Sequence, residues 1–323
     1  MSRAIRAGWA ALVAACLVLA GCTGGYAETT VPAPEEPEPG AATSAPPATS
    51  PAQCDDPLAS YAPLEAVPAP GDLPAGSTMA AIRDRGRLIV GVSADSLLLG
   101  ARNPISGRIE GFDIDMARLV AGALLGDPDR VELRVITAAQ RIPVLQEHEV
   151  DLVARNMTIT CDRWTQVAFS AEYYRSGQKL LVPLGSPARS LADLGGQRVC
   201  APNGSTSLDR ISQWPDVEAV GAATHTACLV LFQRGQVDAI TGDDTVLAGL
   251  AAQDPYAQVV GEPFSEEPYG LAMAADQVDL VRFVNAVLAR AVADGTWMAS
   301  YDRWLAPALG PVDAPPTPDY SRR

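Results

Sequence analysis

Apolar and polar positions follow two different rhythms along this chain, and the change between them marks out its elements. From Met79 onward, short apolar runs alternate with stretches whose apolar residues recur at helical spacing. That is the pattern of α/β layers built on mostly parallel sheets. Leu88-Ile89-Val90-Gly91-Val92 reads as a buried strand, and Asp113 to Leu125 as a helix with Asp113 or Asp115 near its start. A strand over Val131 to Ile136, a short helix over Arg141 to Gln146 and a strand over Val150 to Ala154 complete a first unit. A second unit begins near Ser190, with strands predicted at Arg198 to Ala201, Val217 to Val220 and Val237 to Thr241. Its helices are predicted at Ser207 to Gln213 and Ala227 to Arg234. The last helices, Gln277 to Asp294 and Trp297 to Leu305, have the length and periodicity to pack back on the first unit. Two lobes joined this way need two crossing strands, for which Leu180 to Pro183 and Tyr269 to Ala272 are the candidates. Such a connection is a hinge, and the groove between the lobes is the default ligand site.

Before Met79 the rhythm is lost. Met1 to Arg6 is short and cationic, and Gly8 to Gly21 is apolar but too short to span a bilayer as a mature helix. Residues 1–21 therefore read as a secretory signal peptide. Leu19-Ala20-Gly21-Cys22 matches the bacterial lipobox, which makes Cys22 the lipidated residue and the membrane anchor. The expected location is the extracytoplasmic face of the cell membrane. Residues 22–53 are dominated by Pro, Ala, Thr, Ser and Glu, a composition that cannot bury enough surface to order itself. They are expected to be a tether that spans roughly 90 Å fully extended. Residues 54–78 are Pro-rich too, but Leu58, Tyr61, Leu64 and Val67 suit an extension packed along the domain. The expected divisions are 79–182 for lobe 1, 183–268 for lobe 2, 269–306 for the return to lobe 1, and a tail over 307–323.

Composition narrows the function. The 323 residues are 48% hydrophobic and 19% charged, as in a soluble globular protein. A net charge of −14 leaves no basic stripe for nucleic acid. His148 and His225 are too few and too far apart for an ordinary zinc site, so neither metal nor cofactor is expected. The chain is expected to be a monomer. With Cys16 removed in the signal and Cys22 given to lipid, Cys54, Cys161, Cys200 and Cys228 remain. Outside the cytosol they suggest two disulfides with three possible connectivities. Cys200 and Cys228 fall in one lobe and are paired on that ground, leaving Cys54 with Cys161. A thiol catalyst is disfavoured because no histidine is placed to activate it.

Ligands of parallel sheets sit beyond the carboxyl ends of strands, and four such tips carry polar groups. The first is Arg155-Asn156-Met157-Thr158-Ile159-Thr160-Cys161-Asp162-Arg163, where the Arg163 guanidinium can grip a carboxylate through two charge-assisted hydrogen bonds. The second is Asn203-Gly204-Ser205-Thr206-Ser207, with close backbone approach at Gly204 and an anion-favouring helix start. The third is Gly242-Asp243-Asp244, whose carboxylate could hold an ammonium group, and the fourth is Ser93-Ala94-Asp95-Ser96. A cationic clamp facing an anionic one matches the zwitterion of an amino acid. Each has a plain structural alternative: Thr206 and Asp209 form a capping-box pattern, Asp243 or Asp244 can cap the next helix, and Arg163 can be a solvated charge. Arg155 either reaches a ligand side-chain carboxylate or lines the rim.

Several blocks, taken in order, resemble a known family. They are Val90-Gly91-Val92, Gly111-Phe112-Asp113-Ile114-Asp115, Asp151-Leu152 with Met157-Thr158-Ile159-Thr160, and Phe169-Ser170-x-x-Tyr173-Tyr174. They continue through Ser190-Leu191-x-Asp193-Leu194-x-Gly196, Gly204-Ser205-Thr206, Gly235-x-Val237-Asp238-Ala239 and Glu262-Pro263-Phe264-Ser265-x-Glu267-Pro268-Tyr269-Gly270. From about Ala80 to Ala306 the chain is similar to the polar amino-acid solute-binding proteins of ABC importers, family 3, the glutamine and glutamate/aspartate binders among them. The resemblance implies a two-lobe, type II Venus-flytrap fold. It places Arg163 on the ligand α-carboxylate with Thr158 and Thr206, Asp243 on the α-ammonium, and Asn156 against the same head group. Members that bind cationic or amide side chains usually carry Asp at the position of Ser93 and aromatics near Ser96 and Leu99. Here both are missing, while Arg155 and Arg102 lie in adjacent loops. That charge balance favours glutamate or aspartate first and glutamine or asparagine second.

The leading expectation is a lipoprotein that delivers an amino acid to an ABC permease. A sensor that docks on a membrane receptor is the alternative. A dehydratase on the same scaffold is remote, with Glu172 or Glu267 as the acid it would need; the protein is expected not to be an enzyme.

Overall fold

The structure is a computed structural model, and it describes Cys54 and residues 56–323. The expected signal peptide, the expected lipidation site Cys22 and the expected tether through Gln53 lie outside the described residues.

Leu88–Val92 is buried at every position, as expected of a strand covered on both faces. Alternation then sorts its side chains: Leu88, Val90 and Val92 enter one core cluster, while Ile89 faces a second with Val153 and Phe169. This strand is flanked in parallel by Val131–Val135 and Leu152–Ala154. Ala272–Ala274 and Val167–Phe169 complete the first sheet in antiparallel register. The helix Phe112–Leu125 covers one face and ends at Gly126, whose φ of 75° closes the last turn. The returning helices Val278–Ala293 and Thr296–Trp304 pack Phe283, Val284, Val287, Trp297 and Tyr301 into the same cluster.

The second sheet runs Glu218–Ala222, Arg198–Pro202, Ala239–Asp243, Tyr174–Pro183 and Ala257–Val260, with Glu266–Tyr269 on the first half of the long strand. Here the expectation for the crossing strands needs correction. Leu180 to Pro183 does not cross between lobes; it lies inside the second sheet, paired with Ile240 and Thr241 on one side and 257–260 on the other. Its apolar run reflects burial on both faces. The chain instead leaves the first sheet at Phe169 and enters the second at Tyr174. Residues 170–173 make that crossing beside Tyr269 to Leu271. Ser170 N–H donates to Leu271 O at 2.8 Å and Tyr173 N–H to Tyr269 O at 2.9 Å. The two connections are thus hydrogen-bonded to each other.

The extension and the tail also meet. Ala59–Tyr61 pairs in parallel with Asp319–Arg322, so the tail carries a strand laid on the extension. Cys54 is joined to Cys161 and Cys200 to Cys228, each with Cα atoms 5.6 Å apart.

Candidate functional site

The lobes touch across their cleft. Gly204 has a φ of 72° and stands so close to Ala139 that a Cβ there would lie 2.7 Å from the Ala139 Cα. A Cβ at Gly249 would lie 2.8 Å from Leu97 O. Glycine at both positions lets the backbones approach. Thr226 Oγ1 donates to Asp95 O at 3.2 Å across the same gap.

Between these contacts lies a cavity of about 10 Å³, walled by Arg141, Arg155, Asn156, Thr158, Ser205, Thr206, His225 and Asp243 among others. Thr158 and Thr206 face each other, their hydroxyl oxygens 3.4 Å apart. Both donate to Glu267 Oε2, at 2.7 and 2.8 Å. Arg163 is buried rather than solvated, at 7% exposure. Its Nη1 donates to Thr158 O at 2.7 Å and its Nη2 to Gly204 O at 3.3 Å, so it stands just behind the cavity wall and reaches across the cleft. Thr160 caps the single helical turn Cys161–Trp164 that carries it, accepting from Arg163 N–H at 3.2 Å.

Asp243 ends the strand Ala239–Asp243 and occupies the N-cap position of the helix Asp244–Ala251, yet it makes no capping bond. Its carboxyl is free for the cleft instead, where Tyr269 Oη donates to Oδ2 at 2.6 Å. Burial and the nearby Glu267 charge push its pKa up to about 7, against the hydrogen bonds from Tyr269 and Asn156. Asn156 has a φ of 34°, unusual for a residue with a side chain. Its backbone N–H is held by Asp113 Oδ2 at 2.8 Å, and Tyr173 Oη donates to Asp113 Oδ1 at 2.6 Å. The Asn156 Oδ1 is buried with no partner among the described residues.

Arg155 is anchored through Nε to Ile136 O at 2.8 Å. Two further candidates fall elsewhere. Ser93 does not line the cavity: its hydroxyl donates to Asp95 Oδ1 at 2.8 Å and accepts the backbone N–H of Asp95 and Ser96, fixing the turn. Arg102 is exposed and bonded to Gly107 O at 2.7 Å. Ser205 does border the cavity, and it is also the N-cap of the helix Thr206–Ser212, accepting from Leu208 N–H at 3.1 Å. The cap pattern at Thr206 and Asp209 thus belongs one residue earlier, which leaves the Thr206 hydroxyl available. Glu172 is engaged by two nitrogens of Arg175, at 2.7 and 2.6 Å.

Sequence reasoning missed Arg141, His225, Tyr269 and the placement of Glu267. Arg141 was legible only as the start of a helix, although it follows a strand tip. In the structure its guanidinium donates to Ala138 O, Asn156 O and Gly204 O, each at 3.0 Å. Burial and the charges of Arg163 and Arg155 press it well below its ordinary pKa. His225 opens the helix after Glu218–Ala222, a tip that carried no signal beyond one imidazole. Its Nε2 is buried with no partner among the described residues, and burial with the Arg155 charge lowers its pKa to about 4.

Two α/β lobes on a paired hinge, closed over a buried polar cavity, define a two-lobed binding protein. Residues 88–307 match the model of the bacterial extracellular solute-binding proteins, family 3, and the chain belongs to that family. It is 38% identical to the ABC transporter glutamine-binding protein GlnH of Bacillus subtilis over 71% of this chain and 84% of that one. It is 33% identical to the glutamate-binding protein GluB of Corynebacterium efficiens, over 74% of this chain and 84% of that one. Among solved structures, the solute receptor for L-cysteine of Neisseria gonorrhoeae superposes with a TM-score of 0.69 at 29% identity, covering 72% of this chain and 96% of that one. The family is one of binding proteins, and this chain is a solute-binding protein rather than an enzyme.

Proposed function

We propose that the chain captures a polar L-amino acid, glutamate or aspartate before glutamine or asparagine, and presents it to an ABC permease from a lipid anchor at Cys22. One observation carries the ligand class: the guanidiniums of Arg141 and Arg155 and the carboxyl of Asp243 line one buried cavity. A zwitterion with an acidic side chain satisfies both signs at once, whereas a cationic side chain would meet two guanidiniums. Arg163 with Thr158 and Thr206 takes the α-carboxylate, which replaces Gly204 O as acceptor, and Asp243 with Asn156 takes the ammonium. Arg141, Arg155 and His225 take the side-chain end. Ser93 and Ser205 shape the loops around them. The cavity has room for about one water molecule, so a ligand enters with the lobes parted. Names of relatives from Bacillus subtilis and Corynebacterium efficiens as glutamine- and glutamate-binding proteins support the same class.

A thermal-shift screen over the twenty amino acids tests this, since a ligand at 100 times its Kd adds roughly 2.7 kcal/mol. The acidic amino acids and their amides should raise Tm. A shift with lysine or arginine and none with these four would overturn the assignment. Anchoring is tested by mass spectrometry of the amino-terminal peptide, where Cys22 should carry diacylglycerol. Delivery is tested by uptake of labelled glutamate into proteoliposomes holding the permease; glutamate capture without stimulated uptake would favour the sensor role. Sedimentation should give a monomer.

A further inference from the structure

Two described segments outside the family-matched residues 88–307, Cys54 with residues 56–61 and Asp319–Arg322, converge on the back of the turn that carries Arg163. That turn, Cys161–Trp164, is only four residues long, too short to hold its own direction. What fixes it is what it packs on. Cys161 is bonded to Cys54. Trp164 donates from Nε1 to Pro57 O at 2.8 Å and meets Tyr61 and Phe169 edge-on, at 6.2 and 5.4 Å between ring centroids. The Arg322 guanidinium sits 3.6 Å above the centre of the Trp164 ring and donates through Nε to Ala59 O at 2.8 Å. The extension is tied in turn to the hinge: Ser60 Oγ donates to Phe169 O at 2.9 Å, and the fully buried Asn285 donates to Ser60 Oγ at 2.9 Å and Tyr61 O at 2.7 Å. Asn285 Oδ1 also accepts from Ala171 N–H, on the crossing segment, at 2.8 Å.

We propose that the paired segments Ala59–Tyr61 and Asp319–Arg322 are a clamp that positions Arg163 from behind, with Arg322 on Trp164 as its key contact. Arg322 and Trp164 touch no ligand; they are positioning residues, and their effect on affinity runs through Arg163. The proposal rests on the reading that Arg163 holds the ligand carboxylate. A one-turn helix gripped on one side by a disulfide and on the other by a stacked cation presents its guanidinium in one direction, and pre-set geometry lowers the ordering cost of binding.

The test pairs hydrogen exchange with calorimetric titration of L-glutamate, L-aspartate, L-glutamine and L-asparagine into the full chain. Arg322→Ala should speed exchange at the amides of residues 161–166 and weaken binding about 3- to 5-fold, the size of one cation–π contact. Arg322→Lys should restore most of both, and Tm should move little in either. Removing residues 313–323 should reproduce the alanine effect or exceed it. Unchanged exchange and unchanged Kd in Arg322→Ala and in the truncation would overturn the clamp, as would a loss that lysine does not rescue and that tracks Tm. Arg163→Ala separates the two readings: if it binds like the wild type, the assignment of Arg163 fails, while the exchange data still decide the clamp.

Discussion

Tyr269 donates a 2.6 Å hydrogen bond to the buried carboxyl of Asp243, joining the second crossing connection to the anionic end of the cleft. Tyr269 also lies within 3.0 Å of Thr245 Oγ1, so the phenol is held from both sides. Without it, Asp243 would keep the cost of burial and lose a donor that favours its charged form. Tyr269→Phe should therefore weaken amino-acid binding by about tenfold or more, the value of one hydrogen bond to a charged group. Calorimetric titration of wild type and variant checks this, and equal affinities would remove Asp243 from the ammonium site.

The pH dependence follows from the same carboxyl. With its pKa pushed up to about 7, Asp243 is partly protonated near neutrality, and an ammonium ligand favours the charged form. Binding should release protons near pH 7, and affinity should fall as pH drops from 8 to 6. Titrations in buffers of different ionisation enthalpy measure that release directly. For the fold without ligand the sign reverses. A carboxyl whose folded pKa lies above its ordinary 3.8 contributes stability that is full below that value and is lost as pH rises through about 7. Asp113, pushed up to about 6 by burial, acts in the same direction. Asp243→Asn should hence raise Tm at pH 8, and the gain should disappear in acid.

His225 separates acid from amide ligands. Burial and the Arg155 charge hold it neutral at pH 7, with a pKa of about 4. A carboxylate brought near it raises that pKa, whereas a neutral amide does not. At about pH 5, where a raised imidazole pKa becomes visible, glutamate should consequently bind with a net proton count shifted toward uptake relative to glutamine, and His225→Asn should erase the difference. Identical proton counts for the two ligands in the wild type would place the side-chain end elsewhere.

Cys200–Cys228 closes a loop over a sequence separation of 28, between the strand Arg198–Pro202 and the helix His225–Gln233. The chain-entropy relation gives about 3–4 kcal/mol for a loop of that size. Replacing both cysteines with serine should lower Tm by roughly 10 °C, at about 2–4 °C per kcal/mol. A shift under about 2 °C would mean that the second lobe does not depend on this bond.

Element identity was legible because it depends on local periodicity. Leu88–Val92 and Arg141–Gln146 fall where their apolar spacing puts them. The crossing was misread because Leu180, Leu181 and Val182 look like an isolated strand, and only pairing on both sides makes them the middle of a sheet. Arg163 and Asp243 could be proposed from strand tips, and Thr158 and Thr206 were implied by the family resemblance. Arg141, His225 and Tyr269 could not, because they stand on separate elements of a chain that says nothing of which tips face one another.

Residue order alone determined the two-lobed α/β plan, the return of the last helices and the presence of both charge signs at the strand ends, since each is set by side chains near in sequence. Three-dimensional packing decided the rest. It stripped water from Asp243 and His225, turned Ser93 into a loop brace, and brought Arg322 onto Trp164 from 158 positions away. Desolvation and long-range contact have no local signature, so only the folded chain fixes them.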